Sequence, residues 1–296
     1  MKLQFYNSVT SEKEEFQPIS NKEVLVYGCG PTVYNSPHIG NFRTFIFYDL
    51  LNRVLVQNGY TVKNVINITD IDDKIIDRVN NEDIAFNDLI QKYERIFLEQ
   101  SDFLSILPST FNPRASEYVS EMIDFIKSLT DKGMAYNING NIFFDTKEYS
   151  KYGKFVNIDD DNLSKEDNEL GKKHPNDFAL WKAWKESDGE ITWTSDWGNG
   201  RPAWHTECAV LGTQLLGESI DIHCGGIDLK FPHHENESAQ VEALLGNQFA
   251  NYWLHSEHLI FDREKMSKSL GNTLTISDLL KKYSSESLRL FLLSSH

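Results

Sequence analysis

The clearest pattern in the chain is a short apolar run that stops abruptly and gives way to a long segment with helical periodicity. Val24, Leu25, Val26 and Tyr27 read as a buried strand, and Gly28-Cys29-Gly30-Pro31 cannot continue one. From about Ile39 to Gly59, apolar residues recur three or four positions apart (Phe42, Phe45, Ile46, Leu50, Val54). That spacing predicts a helix closed at Asn58-Gly59, where glycine suits a left-handed cap. Thr61 to Ile68 is β-branched and apolar, which predicts a second strand. Strand, helix and strand in this order imply a right-handed crossover and a parallel α/β sheet of the nucleotide-binding kind.

Two more helical segments, about Ile84 to Phe103 and Arg114 to Lys132, are separated by Pro108 and Pro113. The rhythm then changes. Ala135 to Ile138 and Asn141 to Phe144 flank Asn139-Gly140, the dipeptide preferred by a type I′ hairpin turn, and an antiparallel hairpin inside a parallel α/β protein marks an insertion. The polar stretch from Asp159 to Asn168, with Lys172, Lys173 and His174 after it, reads as a solvated loop whose lysines could touch an RNA end. The sheet is expected to resume near Phe178–Trp181 and Ile220–His223, with helices over Thr206–Leu216 and His234–Leu245.

Composition narrows the possibilities. A chain of 296 residues with 40% hydrophobic residues can bury a large core, in one elaborated domain or two. It contains no apolar run of about 18 residues, and its start shows no signal-peptide pattern, so a cytoplasmic location without membrane contact is the expectation. Three cysteines do not make a disulfide framework, which leaves metal binding or free thiols. A formal net charge of -15 argues against gripping nucleic acid by bulk electrostatics; any such contact needs a local basic patch.

The chemistry concentrates at strand ends. A helix start facing the carboxyl end of a parallel strand collects phosphate through unpaired N–H groups and the helix dipole, and His38 and Asn41 sit at that place. His233 and Glu237 are four apart and share one face if a helix starts at Pro232. Acidic residues at Asp72 and Asp73 either serve the site or cap the next helix. Trp204 reads as a pocket wall or as a core aromatic, and His205 as a substrate contact or a helix cap.

Pro37-His38-Ile39-Gly40-Asn41 together with Lys265-Met266-Ser267-Lys268-Ser269 resembles the two signatures of class I aminoacyl-tRNA synthetases. Thr69-Asp70-Ile71-Asp72-Asp73-Lys74, Trp204-His205-Thr206-Glu207-Cys208 and the run from Gly225 to Glu237 resemble the cysteinyl-tRNA synthetase family within that class, in order and over essentially the whole chain. The resemblance implies a Rossmann-like parallel sheet with helices on both faces, interrupted by a connective-peptide insertion. Its parts would be residues 1–115 (first half of the catalytic domain), 116–200 (insertion), 201–255 (second half) and 256–296 (the Lys-Met-Ser-Lys-Ser loop and the start of a stem-contact region). Family members continue into a helical anticodon-binding region, ahead of which this sequence ends.

The same resemblance implies ATP-dependent activation of L-cysteine to its adenylate and transfer to tRNA(Cys) by a monomer. One Zn2+ per chain would be held by Cys29, Cys208, His233 and Glu237, with Mg2+ accompanying ATP. His38, Asn41, Lys265 and Lys268 would stabilise charge at the phosphates. Gly40, Gly225, Gly226, Asp228 and Lys268 would hold ATP, and Gly30, Thr69 and Trp204 the amino acid. Zinc suits the task, because cysteine and serine differ by one atom, which an apolar pocket separates poorly, whereas zinc favours thiolate. Two positions depart from the family pattern. Asn41 stands where histidine is usual, and an amide carries no positive charge. Cys224 stands where glycine is usual and reads as a bystander thiol. Two other readings stay open: a cysteine ligase of thiol-cofactor biosynthesis acylating an amino sugar, and a non-catalytic zinc module.

Overall fold

The computed structural model describes residues 2–156, 167–261, 264–265 and 274–294. The chain opens with a hairpin, β1 (Gln4–Asn7) and β2 (Glu12–Glu15). It is pinned to the last strand of the main sheet by hydrogen bonds from Ser8 N to the Trp253 carbonyl at 2.9 Å and from Trp253 N to Asn7 Oδ1 at 3.2 Å. Next come β3 (Glu23–Gly28), α1 (Ile39–Gln57) and β4 (Thr61–Ile66), the expected strand, helix and strand. Gly59 has φ +89°, a left-handed conformation that a glycine adopts at low cost. The ladder between β3 and β4 ends at Ile66, two residues short of the expected strand, and Ile68 bridges to Arg114 instead.

Helices α2 (Asp73–Glu82), α3 (Phe86–Phe103) and α4 (Val119–Asp131) follow. Asp72 caps α2, its Oδ1 accepting from Lys74 N at 2.8 Å, so capping is what this carboxylate does here. The hairpin of β5 (Ala135–Ile138) and β6 (Asn141–Phe144) turns through Asn139 at φ 53° and Gly140 at φ 86°, the two positive angles of a type I′ turn. Then come β7 (Phe178–Ala183), β8 (Trp193–Ser195) and β9 (Gly198–Pro202), α5 (Trp204–Leu216), β10 (Ile220–Gly226), α6 (Glu235–Leu245) and β11 (Ala250–Ser256). Short strands β12 (Ile260–Phe261) and β13 (Glu264–Lys265) and helices α7 (Ile276–Leu279) and α8 (Ser285–Ser294) end the described chain.

The main sheet has the order β11-β10-β3-β4 with every pairing parallel. Its two faces carry separate cores. One gathers Val24, Val26, Ile66 and Ile222 with Phe42, Ile46 and Phe97 of α1 and α3; the other gathers Tyr27, Val65 and Trp253 with residues of α4, α5 and α6. The fold is α/β, a parallel sheet with helices on both faces.

One expectation is corrected. Phe178–Trp181 does not resume the parallel sheet; β7 pairs antiparallel with β6 and β9 in a second sheet of order β5-β6-β7-β9-β8. All four residues from Phe178 to Trp181 are wholly buried, and a short apolar run reads the same whichever sheet takes it. This sheet is tied to the N-terminal end of α2, where Asp73 is gripped by Arg201 and Lys182.

Candidate metal centre and nucleotide cleft

β3 and β10 are neighbours, and both end at the same edge of the sheet. Cys29 follows β3, and its N–H donates to the Cys224 carbonyl at 3.2 Å. Here a glycine is compulsory: a Cβ on Gly30 would lie 1.5 Å from the Asn67 carbonyl oxygen. The turn after β3 therefore packs directly on the end of β4, where Gly30 N donates to Asn67 Oδ1 at 2.9 Å.

Against this edge sit the starts of α5 and α6. Cys208 lies in the first turns of α5, and the segment Lys230–His234, whose Phe231 is non-helical, swings His233 inward before α6 begins at Glu235. Donor atoms of Cys29, Cys208, His233 and Glu237 all come within 4.8 Å of one another. The sulfurs of Cys29 and Cys208 are 4.0 Å apart, Cys29 Sγ is 3.7 Å from Glu237 Oε1, and His233 Nε2 is 2.9 Å from the same oxygen. Three of the four are at most 1% exposed and Cys29 is 7% exposed.

Electrostatics in the cluster is coupled. Burial pushes the Cys208 thiol up, but its contacts with Cys29 and His233 override this and hold it at about 6. Burial would depress His233, yet the Glu237 charge and the Cys208 thiol beside it raise the imidazole to about 10. Glu237 resists its burial and stays well below the usual carboxylate range because His223 and His233 face it. Burial, reinforced by Cys208, drives the Cys29 thiol up.

The donor set fits a zinc-type ion. Two thiols, an imidazole and a carboxylate are the groups such an ion takes, and burying this many ionisable atoms is costly unless a cation compensates them. His233 Nε2 lies among them without a directed hydrogen bond of its own. The other ring nitrogen, His233 Nδ1, meets His205 Nδ1 at 2.8 Å, the supporting contact that fixes a ligating imidazole. His205 therefore orients His233 and does not cap α5. Trp204 stacks on His233 with ring centroids 4.0 Å apart.

Sequence reasoning missed His223 and His234. Together with Cys29 and Glu237 they form a second, overlapping donor group, His223 Nε2 meeting Glu237 Oε2 at 2.7 Å and His234 Nε2 lying 3.3 Å from Cys29 Sγ. The consecutive histidines at 233 and 234 and the histidine beside Cys224 were the available signal. Cys224 itself is wholly buried, its thiol pushed up by burial, and it belongs to neither group.

A cleft of about 520 Å³ opens beside the cluster, lined among others by Cys29, Gly30, His38, Gly40, Asn41, Trp204, Gly226 and Asp228. At its far end His38 and Asn41 form a reciprocal cap on α1: His38 Nδ1 accepts from Asn41 N at 3.2 Å and Asn41 Oδ1 accepts from His38 N at 3.0 Å. Gly225 is set back from the wall, where a Cβ would meet the His234 ring at 2.5 Å. Thr69 is also behind the wall, 1% exposed, its Oγ1 accepting from Asn67 Nδ2 at 3.1 Å. Lys265 ends β13; Lys268 lies outside the described residues. Just beyond the segment that carries it, the Leu274 carbonyl accepts from Ile39 N at 2.8 Å, returning the chain to the start of α1.

Among the described residues no helix is long and apolar enough to cross a membrane. A family model described as the tRNA synthetases class I (C) catalytic domain matches residues 15–296. A cysteine–tRNA ligase of Finegoldia magna is 49% identical over 298 residues, covering 99% of this chain and 64% of that protein. The cysteine–tRNA ligase of Brachyspira hyodysenteriae is 48% identical over 299 residues, covering 99% and 63%. This chain thus spans a little under two thirds of the length of these relatives. Among solved structures, Mycobacterium tuberculosis methionyl-tRNA synthetase in complex with methionyl-adenylate superposes with a TM-score of 0.68 at 13% identity, over 92% of this chain and 64% of that one, a likeness of fold. The chain belongs to the family of class I (C) tRNA synthetase catalytic domains.

Proposed function

We propose that the chain activates L-cysteine with ATP and delivers it to the 3′-terminal ribose of tRNA(Cys). The observation that carries this reading is the buried Cys29-Cys208-His233-Glu237 cluster opening, through Cys29, onto the cleft that also holds His38 and Asp228. These four side chains would hold zinc, which when bound stabilises a substrate thiolate over a hydroxyl and so selects cysteine from serine.

The remaining work falls to the chain's own groups. Trp204, stacked on His233, walls the amino-acid end. The positive end of the α1 dipole faces the phosphates, and Asp228, on the lining of the same cleft, would accept from the ribose hydroxyls of ATP. The cysteine carboxylate attacks the α-phosphate; an oxygen–phosphorus bond forms and the bond to pyrophosphate breaks. No protein nucleophile is needed. His38 and Lys268, with Lys265 and Asn41 in support, stabilise the charge that builds on the phosphate oxygens, at about 3 kcal/mol for a good donor. Mg2+ enters with ATP. The ribose hydroxyl of the tRNA then attacks the adenylate carbonyl, expelling AMP.

The test is exchange of labelled pyrophosphate into ATP. Exchange that depends on cysteine and stays at background with serine is the expected result. Equal exchange with both amino acids, or none with zinc-replete protein, contradicts the reading. Offering tRNA(Cys) or an amino sugar to the preformed adenylate then identifies the acceptor.

A further inference from the structure

We infer that Arg43 is a positioning residue for the activation step: it holds the strand pair that carries Lys265 against the start of α1, where His38 stands. This rests on reading the cleft as a cysteine-activating site. The Arg43 side chain joins α1 to two backbone carbonyls that are far from it in the sequence. Its Nε donates to the Glu257 oxygen at 2.9 Å, and its Nη1 donates to the Leu292 oxygen at 2.8 Å.

Both carbonyls sit where regular structure gives out. The ladder between β10 and β11 stops at Ser256, so Glu257 is the first residue beyond it. Leu292 lies in the last turn of α8, where carbonyls have no partner inside the helix and a cation meets the negative end of the helix dipole. A guanidinium suits the place because its donors share one rigid plane, which fixes the two carbonyls relative to each other. A lysine ammonium is a point charge on a flexible stem.

Directly after Glu257 the chain becomes part of the cleft. His258 and Leu259 line it together with His38, Gly40 and Asn41. β12 then begins at Ile260, which is the register partner of Lys265 on β13. From Arg43 to Lys265 the link is therefore a hydrogen bond, a short stretch of cleft wall and a ladder pair. Thr44 adds a parallel tie, its Oγ1 lying 2.9 Å from Ser256 Oγ.

The chain returns to the same helix start further on. Thr275 bridges antiparallel to His38, and Ile39 N donates to the Leu274 carbonyl at 2.8 Å. Glu257 and Leu274 bracket Lys-Met-Ser-Lys-Ser in the sequence, and both are hydrogen-bonded to residues of the first turns of α1. The two ties differ in kind: backbone makes the one at Leu274, whereas a single side chain makes the one at Glu257. A donor stabilises charge on a phosphate only when it is held where that charge develops. Losing Arg43 should therefore slow activation and leave the metal centre, which shares none of these contacts, able to take the substrate thiol.

The experiment is steady-state pyrophosphate exchange on zinc-loaded wild type, Arg43→Ala, Arg43→Lys and Arg53→Ala, each assayed well below its unfolding midpoint. Arg53 is the control: on the same helix it donates to Asp49 Oδ2 at 2.9 Å and to the Ser105 carbonyl at 2.7 Å, and neither partner lines the cleft. Arg43→Ala is expected to lower kcat about tenfold or more, with cysteine affinity unchanged in calorimetric titration. Arg43→Lys should fall between it and wild type, and Arg53→Ala should lose stability yet keep kcat within about twofold. Unchanged kcat in Arg43→Ala, a parallel loss of cysteine affinity, or an equal loss of kcat in Arg53→Ala overturns the inference alone. Full activity in Arg43→Lys does the same, and that variant carries the test if Arg43→Ala does not fold. Wild-type protein without cysteine-dependent exchange overturns the cysteine reading and the inference with it.

Discussion

The two ends of the cleft are built on opposite terms. At the inner end Cys29, Cys208, His233 and Glu237 come from three distant parts of the chain and are almost entirely removed from solvent. At the outer end His38 and Asn41 are three residues apart, joined to each other, and their mutual hydrogen bonds lie on the surface. The inner end exists only when the whole sheet edge is folded, and each of its groups depends on the charge of the others. The outer end is a local feature of one helix start. Damage inside should therefore appear as lost folding, and damage outside as lost chemistry in a protein that still folds.

The strongest test of that contrast is Gly30→Ala. With the added methyl 1.5 Å from the Asn67 carbonyl oxygen, backbone must move against backbone, and a loss of more than about 4 kcal/mol in urea unfolding is expected. Stability within about 1 kcal/mol of wild type would break the inner-end picture. Next in size, His38→Ala should reduce cysteine-dependent pyrophosphate exchange by about a hundredfold, close to 3 kcal/mol, with cysteine affinity unchanged. A parallel loss of cysteine binding would show that the two ends are not separate.

A third test reaches the inner end from behind. Glu242 braces α6 through Lys154 Nζ at 2.6 Å, Tyr149 OH at 2.7 Å and Ser238 Oγ at 2.8 Å. Burial would raise its carboxyl, but Lys154 overrides this and holds it below the ordinary 4.5. A carboxylate lowered on folding stabilises the protein fully above its unfolded value and loses that contribution as pH falls through the folded one. Glu242→Gln should thus cost about 2 kcal/mol at pH 7, with the gap to wild type shrinking below pH 4.5. A gap independent of pH would exclude the charge as its source. The smallest effect belongs to the outer end: Asn41→Ala removes half of the reciprocal cap and should cost about 1 kcal/mol of thermal or urea stability.

The parallel sheet was legible because β3, α1 and β4 each carry their own periodicity, and Asn139-Gly140 announced its turn through residues chosen for positive φ. Phe178–Trp181 was misassigned, since a run of four buried apolar residues fits a central strand of either sheet. The start of α6 was the least readable. Glu235-Asn236-Glu237-Ser238 has the composition of a solvated face, yet all four residues are fully buried. Their partners lie elsewhere in the chain: Glu235 accepts from Gly153 and Phe155, Asn236 from Tyr152, Glu237 from His223. Hydropathy reports transfer from water to an apolar medium and is blind to such pairing. The same blindness hid His223 and His234, whereas Cys29 and Cys208 stood out as thiols at the ends of regular elements.

Zinc stoichiometry measured on three proteins tests the central claim most directly. Wild type and Cys224→Ser are expected to bind one equivalent each, and Cys208→Ser none. Retention of the ion by Cys208→Ser, or its loss from Cys224→Ser, would contradict a centre made by Cys29, Cys208, His233 and Glu237.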